Sequence, residues 1–333
     1  MFQHNNSKAV CQLARWSVET YRAAEQAAGL GQTTFQVGSL EIAHSAARWT
    51  ELKRKLGNAR AWGLEAELIG PEEVRRLVPI MKTDDLYGAF YVPSDMDVRG
   101  VKVVESLAKL AAAAGAEFYA DTPVTGVEVK GGRAVAVQTA RGRVEADYIV
   151  CAAGLWGPVV AQMAGLTLPM TPCQHLYVKT GPLAELAGET EEVRHPIIRD
   201  QDRDMYYRQH GQGYGFGSYA HAPLIVFADQ LRADDRPALY PALDEHVAES
   251  WAQAVARFPA LERATLTERF NGCFSFTTDG NSFFGESAAV RNFIVAEAVW
   301  VTHAGGTAQA VANLLVHGDP GLDLRELDAH RLQ

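Results

Sequence analysis

Cysteine is scarce in this chain: Cys11, Cys151, Cys173 and Cys273 stand far apart and form no Cys-x-x-Cys pair. That spacing excludes a disulfide framework and a zinc site of the paired-cysteine kind, and no metal is expected. The four thiols are expected to be reduced, intracellular and mostly buried. Runs of Lys or Arg are absent as well. With 31 Lys and Arg against 40 Asp and Glu, the formal charge is −9, which leaves no footprint for nucleic acid or for an anionic membrane surface. A small molecule is the better expected partner. Met1 is followed by Phe2-Gln3-His4-Asn5-Asn6-Ser7, neither basic nor apolar, so no secretory signal is expected and the cytoplasm is the expected compartment. Internal repeats and low-complexity segments are missing too.

What is present is apolar: 47% of the residues are hydrophobic, enough for a large core in one big domain or two interleaved ones. Tyr148 to Val178 carries no Asp, Glu, Lys or Arg and is long enough to span a bilayer. Gly154, Gly157, Pro158, Gly165, Pro169 and Pro172 interrupt it, so core is expected and no membrane span.

The order of elements points to an α/β (α+β) fold. Ser7 can cap a helix with Val10, Leu13, Ala14, Val18 and Tyr21 on one face and Gly29 at its end. A strand fits 38–43, helices 46–56 and 72–77, and a short strand 66–69. A helix from Val101 to Ala114, stopped by Gly115, leads to a short strand at 117–119, the pattern of a parallel crossover. Strands at 124–130, 133–139 and 144–153 read as a meander. Further strands fit 176–180, 204–210, 214–219, 274–276 and 292–297, with a helix at 244–258. A glycine turn at Gly305-Gly306 opens the last helix. The run Gly211-Gln212-Gly213-Tyr214-Gly215-Phe216-Gly217 does not fit GxGxxG and is expected to be a hairpin turn.

Three segments carry chemistry. Ile149-Val150-Cys151-Ala152-Ala153-Gly154-Leu155-Trp156 is an apolar strand ending in small residues, where backbone can approach a ligand. Glu297-Ala298-Val299-Trp300-Val301-Thr302-His303-Ala304-Gly305-Gly306-Thr307 runs from strand to helix, and helix N-termini suit electron-rich groups. His175 and Tyr206 lie on strands, and alternation puts Tyr206 and Arg208 on one face and Tyr207 on the other. Taken alone, His175 and Tyr206 read as buried polar residues. Arg208 could pair a substrate carboxylate or form a surface ion pair.

The meander followed by Ala-Ala-Gly-x-Trp resembles the second FAD-contacting element of glutathione-reductase-like flavoproteins in the D-amino-acid oxidase superfamily. The segment from Phe274 through Gly280 to Thr307 resembles the C-terminal signature of sarcosine and dimethylglycine dehydrogenases, with Thr278 where that family usually has proline. The resemblance implies FAD contacts at Val124, Ala153, Gly154 and Trp156 and at Thr302, His303, Ala304, Gly305, Gly306 and Thr307. It implies His175 and Tyr206 in the substrate site. It also implies a glutathione-reductase-like FAD-binding domain (1–30, 75–167, 270–333) interleaved with a substrate domain on an antiparallel or mixed sheet (31–74, 168–269). The activity it implies is N-demethylation of an N-methylated amino acid, with oxygen or an electron-transfer protein as acceptor.

The strand–GxGxxG–helix unit and the ribose-binding acid that open such a family member match nothing here, so the FAD-binding domain is expected to be incomplete at its start. Two other expectations compete: a non-catalytic remnant that cannot hold FAD alone, and a partner polypeptide supplying the missing unit. Folate coupling by this chain is not expected.

Overall fold

The first helix forms where cap and periodicity agree. Ser7 accepts a hydrogen bond from the Val10 N–H at 3.1 Å, and Gly29 closes the helix Lys8–Ala28 in a left-handed conformation. In the computed structural model, which describes residues 1–232, 236 and 238–332, its buried face carries Val10, Leu13, Ala14, Val18 and Tyr21. That face meets the helix Ala304–His317 at very short range. A Cβ on Gly306 would lie 2.1 Å from the Leu13 carbonyl oxygen, and one on Gly305 would lie 2.9 Å from the Tyr21 ring. The two glycines expected in a turn therefore sit inside the first helical turn, and helix packing explains them.

The largest sheet has ten strands. Its order is Leu239–Pro241, Leu266–Phe276, Thr171–Thr180, Gly213–Ser218, Met205–His210, Ile197–Asp200, Ser39–Ala43, Gly88–Val92 and Glu67–Ile69, with Leu224–Ile225 paired beside Thr171–Thr180. Only Ile197–Asp200 and Ser39–Ala43 run parallel; the other pairs are antiparallel. The strand Gly88–Val92 was not among the expected elements. One face of this sheet is core: Leu176, Val178, Ile198, Tyr207, Tyr214 and Phe216 pack against Val247, Ala254 and Phe258 of the helix Asp244–Arg257 and its end.

Two expected strands change. The segment 144–153 is split: Gly142–Glu145 closes the meander with Val124–Lys130 and Arg133–Thr139, while Ile149–Cys151 pairs parallel with Phe293–Glu297 in another sheet. The break is held by Asn292, whose side chain donates to the Asp147 carbonyl at 2.7 Å and whose own carbonyl accepts from the Ile149 N–H. Residues 117–119 form no strand. Among the described residues no strand lies beside them, so their backbone has no ladder to join, and Phe118 and Tyr119 are each 64% exposed. No helix among the described residues is long and apolar enough to cross a membrane. Tyr148 to Val178 instead forms strand, the short helix Gly157–Met163 and strand.

Overpacking of a tight contact costs about 1–3 kcal/mol, so Gly306→Ala is expected to lower the unfolding midpoint by several degrees. Gly57→Ala, in the helix Ala46–Ala61 with nothing within 4 Å of its added Cβ, is expected to leave the midpoint unchanged or raise it. Thermal unfolding of both variants side by side checks this; equal midpoints would contradict the close helix contact.

Candidate active site

Alternation along Met205–His210 sorts the tyrosines. Tyr207 is fully buried on the core face, its ring 4.8 Å from that of Phe258, whereas Tyr206 lies on the opposite face. In the neighbouring strand Gly213–Ser218, Gly213, Gly215 and Gly217 take that opposite face, and Tyr214 and Phe216 fill the core. A Cβ on Gly217 would fall 2.0 Å from Cζ of Tyr206, and one on Gly215 would fall 2.2 Å from the Tyr177 hydroxyl. The glycines clear the strand so that these two rings can lie across it, stacked with centroids 5.8 Å apart. Gly211 and Gln212 make the expected hairpin turn; the glycines after them belong to the strand.

His175 stands on the same face, opposite Gly272. Four rings surround it: Tyr219 at 4.6 Å, Phe274 and Phe276 at 5.1 Å each, and His221 at 5.2 Å. Tyr219 also lies 5.4 Å from Tyr206 and hydrogen-bonds to it, so one ring joins the two residues expected in a substrate site. Burial, with His221 alongside, lowers the His175 pKa to about 4, so the ring is neutral at pH 7, and its Nδ1 has no hydrogen-bond partner. Burial and the neighbouring phenols push Tyr206 well above the usual tyrosine range, which keeps its hydroxyl protonated. Trp300 adds a further wall, 5.8 Å from Phe274 and 5.5 Å from Phe276, its indole N–H donating to the Ser275 carbonyl at 3.0 Å. Tyr219 was not expected in the site, and Phe274, Phe276 and Trp300, which lie in the segments that carry the resemblance, were not expected to line it. The period-two glycines and the alternation Phe274-Ser275-Phe276 were the available signals. Arg208 is committed elsewhere, with Nε on Asp97 and Nη2 3.4 Å from Glu192.

The two strand-end turns meet through Glu297. Its Oε1 accepts from the Ala153 N–H at 2.5 Å and from the Cys151 thiol at 3.2 Å, and it bonds the Gly154 backbone as well. Gly157 has no side chain because the carboxyl occupies that place, 2.6 Å from where a Cβ would be. Burial raises the Glu297 pKa to about 7, and Oε2 is left without a partner. Ala298 follows in the left-handed region (φ 53°), ending the strand and letting Trp300 reach the aromatic face.

The residues expected to face a flavin divide into three groups. Ala153, Gly154 and Trp156 form an open turn; Gly154 has nothing within 4 Å of an added Cβ, and Trp156 is exposed. Thr302 is half-buried, and the buried His303 accepts from the Trp300 N–H at 3.4 Å. Gly305 and Gly306 spend their N–H groups on the Tyr21 and Ser17 hydroxyls, at 3.1 and 2.8 Å, and Thr307 N–H bonds to the His303 carbonyl, so only Ala304 leaves the helix start open. Val124 lies apart, paired with Thr139 in the meander. Of these, the open turn at Ala153, Gly154 and Trp156 has room for a planar ring system such as a flavin, whereas Gly305, Gly306 and Thr307 are committed to helix packing and Val124 lies apart. For the pyrophosphate half of an FAD the chain has no glycine-rich loop of the required spacing.

An apolar strand-end turn, a strand-to-helix turn and an aromatic sheet face are thus held together in one mixed α/β fold. The profile of the DAO family, FAD dependent oxidoreductases, matches residues 2–314, and the chain belongs to that family, whose cofactor is FAD. It is 31% identical over 318 residues to the mitochondrial sarcosine dehydrogenase of Homo sapiens, covering 93% of this chain and 34% of that protein. It is 28% identical over 322 residues to the mitochondrial dimethylglycine dehydrogenase of Homo sapiens, covering 95% of this chain and 37% of that one. The chain thus spans little more than a third of the length of these curated relatives. Among solved structures, L-proline dehydrogenase from P. horikoshii superposes with a TM-score of 0.87 at 22% identity, over 99% of this chain and 85% of the other.

Because the folded pKa of Glu297 lies above its ordinary value of 4.5, the fold holds its proton more tightly than the unfolded chain does. The stability this contributes is full below about pH 4.5 and is lost as pH rises through about 7. Glu297→Gln keeps an acceptor for Ala153 and removes the charge. Denaturant midpoints at pH 5 and pH 8 are expected to fall less in the variant than in the parent; equal falls would refute a buried titrating Glu297.

Proposed function

We propose that this chain carries the substrate-facing and flavin-facing parts of an FAD-dependent oxidoreductase that oxidises an N-methylated amino acid such as dimethylglycine or sarcosine. The observation that carries the proposal is the ring-lined face around a neutral His175 whose Nδ1 is unpartnered, continuous through Trp300 with the Thr302-His303 turn. The relatives named sarcosine and dimethylglycine dehydrogenase support the substrate class.

The chemistry of the face suits such a substrate. Aromatic faces attract a weakly hydrated methylated ammonium by about 0.5–2 kcal/mol per good contact, and N-methyl groups lose little by leaving water. A primary ammonium would leave N–H groups unmet among rings. FAD, when bound, would supply the acceptor for a hydride from the N-methyl carbon, and water would then hydrolyse the resulting iminium to formaldehyde and the demethylated amine. That loss requires the amine lone pair, so the ammonium proton must leave first. With its proton on Nε2, His175 presents the Nδ1 lone pair to that N–H. Tyr206 stays protonated and, tied to Tyr219, holds the position of the substrate through its hydroxyl. Trp300, Phe274 and Phe276 exclude water from the far side.

Expression with FAD followed by anaerobic mixing with dimethylglycine or sarcosine tests the reading. Retained flavin colour that bleaches on mixing is expected; His175→Ala should slow bleaching about 10²–10⁴-fold and Tyr206→Phe about tenfold or more. A protein that neither holds FAD nor bleaches would instead support the non-catalytic reading.

A further inference from the structure

Arg199 has a position and an environment that no structural role in the fold uses up. In the antiparallel pair of Ile197–Asp200 with Met205–His210, Arg199 stands directly opposite Tyr206, so the two side chains leave the same face of the sheet. Nearby cations are paired. Arg208 holds Asp97 and Glu192, Arg48 holds Glu51 and approaches Asp202, and Arg257 holds Asp85 and approaches Asp200. On its other side Arg199 is in register with Glu41, but Lys55 takes both oxygens of that carboxylate, at 2.7 and 2.9 Å. Among the described residues Arg199 has neither a hydrogen bond nor an ion pair; its guanidinium lies over the Phe2 ring at 3.8 Å. A ring covers one face of the guanidinium and leaves its in-plane N–H edges unspent. Its charge is felt at Tyr219, whose pKa burial raises and Arg199 lowers, and Tyr219 is the ring packed against His175.

We infer that Arg199 receives the carboxylate of the substrate, while the rings around His175 take the methylated amine at the other end. A planar, permanently charged fork matches a carboxylate through two parallel hydrogen bonds. The site would then select amino acids over amines of equal methylation. The inference rests on the amine-oxidising reading above, and it moves the carboxylate partner from Arg208, which is already paired, to Arg199.

Calorimetric titration of the full chain with dimethylglycine and with N,N-dimethylethanolamine, which has a hydroxyl in place of the carboxylate, tests it. The parent is expected to bind dimethylglycine at least tenfold more tightly. Hydrogen bonds to a charged group imply that Arg199→Met weakens dimethylglycine about 10–100-fold, leaves dimethylethanolamine unchanged and so removes the preference, with Arg199→Lys recovering part of it. An Arg199→Met protein that keeps the preference, or that loses both ligands equally, would overturn the assignment of Arg199 and leave the amine reading standing. A parent protein that binds neither ligand would overturn the amine reading itself, and the assignment with it.

Discussion

Aromatic rings can lie flat across a β-sheet only where the strand beneath them has no Cβ, and this constraint organises the candidate site. Gly215 and Gly217 satisfy it under Tyr177 and Tyr206, while Gly213 on the same face lies against the Thr180 backbone, with Tyr214 and Phe216 between them filling the core on the other side. One strand thus has a bare face and a packed face. The cost is the conformational freedom that glycine loses on folding and the side-chain packing it forgoes. It is offset on the core side, where Tyr207 and Tyr214 close on Phe258 at 4.8 and 4.9 Å. On the bare side Tyr177 and Tyr206 stack, Tyr219 bridges to His175, and the ring wall follows.

A second constraint couples this face to the small-residue turns. The carboxyl of Glu297 occupies the space beside Gly157 and ties down the Ala153 N–H, so the two paired strands Ile149–Cys151 and Phe293–Glu297 are also joined at their ends. The left-handed Ala298 then redirects the chain toward Trp300, while Tyr21 and Ser17 fix the start of the final helix. The N-terminal helix therefore sets the position of the strand-to-helix turn, which in turn positions the tryptophan that closes the aromatic wall.

Much of this was legible in the sequence. Caps and periodicity located the helices beginning at Lys8, Ala46, Gly100 and Asp244 within a few residues, because those signals are local. Strand alternation separated Tyr206 from Tyr207, and the family resemblance drew attention to the two turns as expected cofactor contacts. What local signals could not show was which strands pair. The single strand expected at 144–153 serves two sheets, and 117–119 is strand-like in composition without a neighbour to pair with. The glycines at 305 and 306 resembled a ligand-approach turn because close helix packing asks for the same missing Cβ. Arg199 was invisible for a related reason: an arginine on a strand is unremarkable until the pairing register shows that Glu41, the carboxylate beside it, is already taken by Lys55.

The electrostatics of the face bear on what it can bind. Burial keeps His175, His210 and His303 neutral at pH 7 and keeps Tyr177, Tyr206 and Tyr219 protonated, so the ring cluster carries little net charge of its own. A uniformly neutral aromatic surface attracts a cation weakly through its ring quadrupoles and gives it no fixed orientation. Direction has to come from a charge at one side, and that charge must not already be neutralised. An amphoteric ligand placed between the rings and a cationic edge would be held at both ends, its carbon next to nitrogen kept where the small-residue turns leave space. The same arrangement explains why the face needs no carboxylate among its rings: a fixed anion would hold the ammonium protonated and oppose loss of hydride from the adjoining carbon.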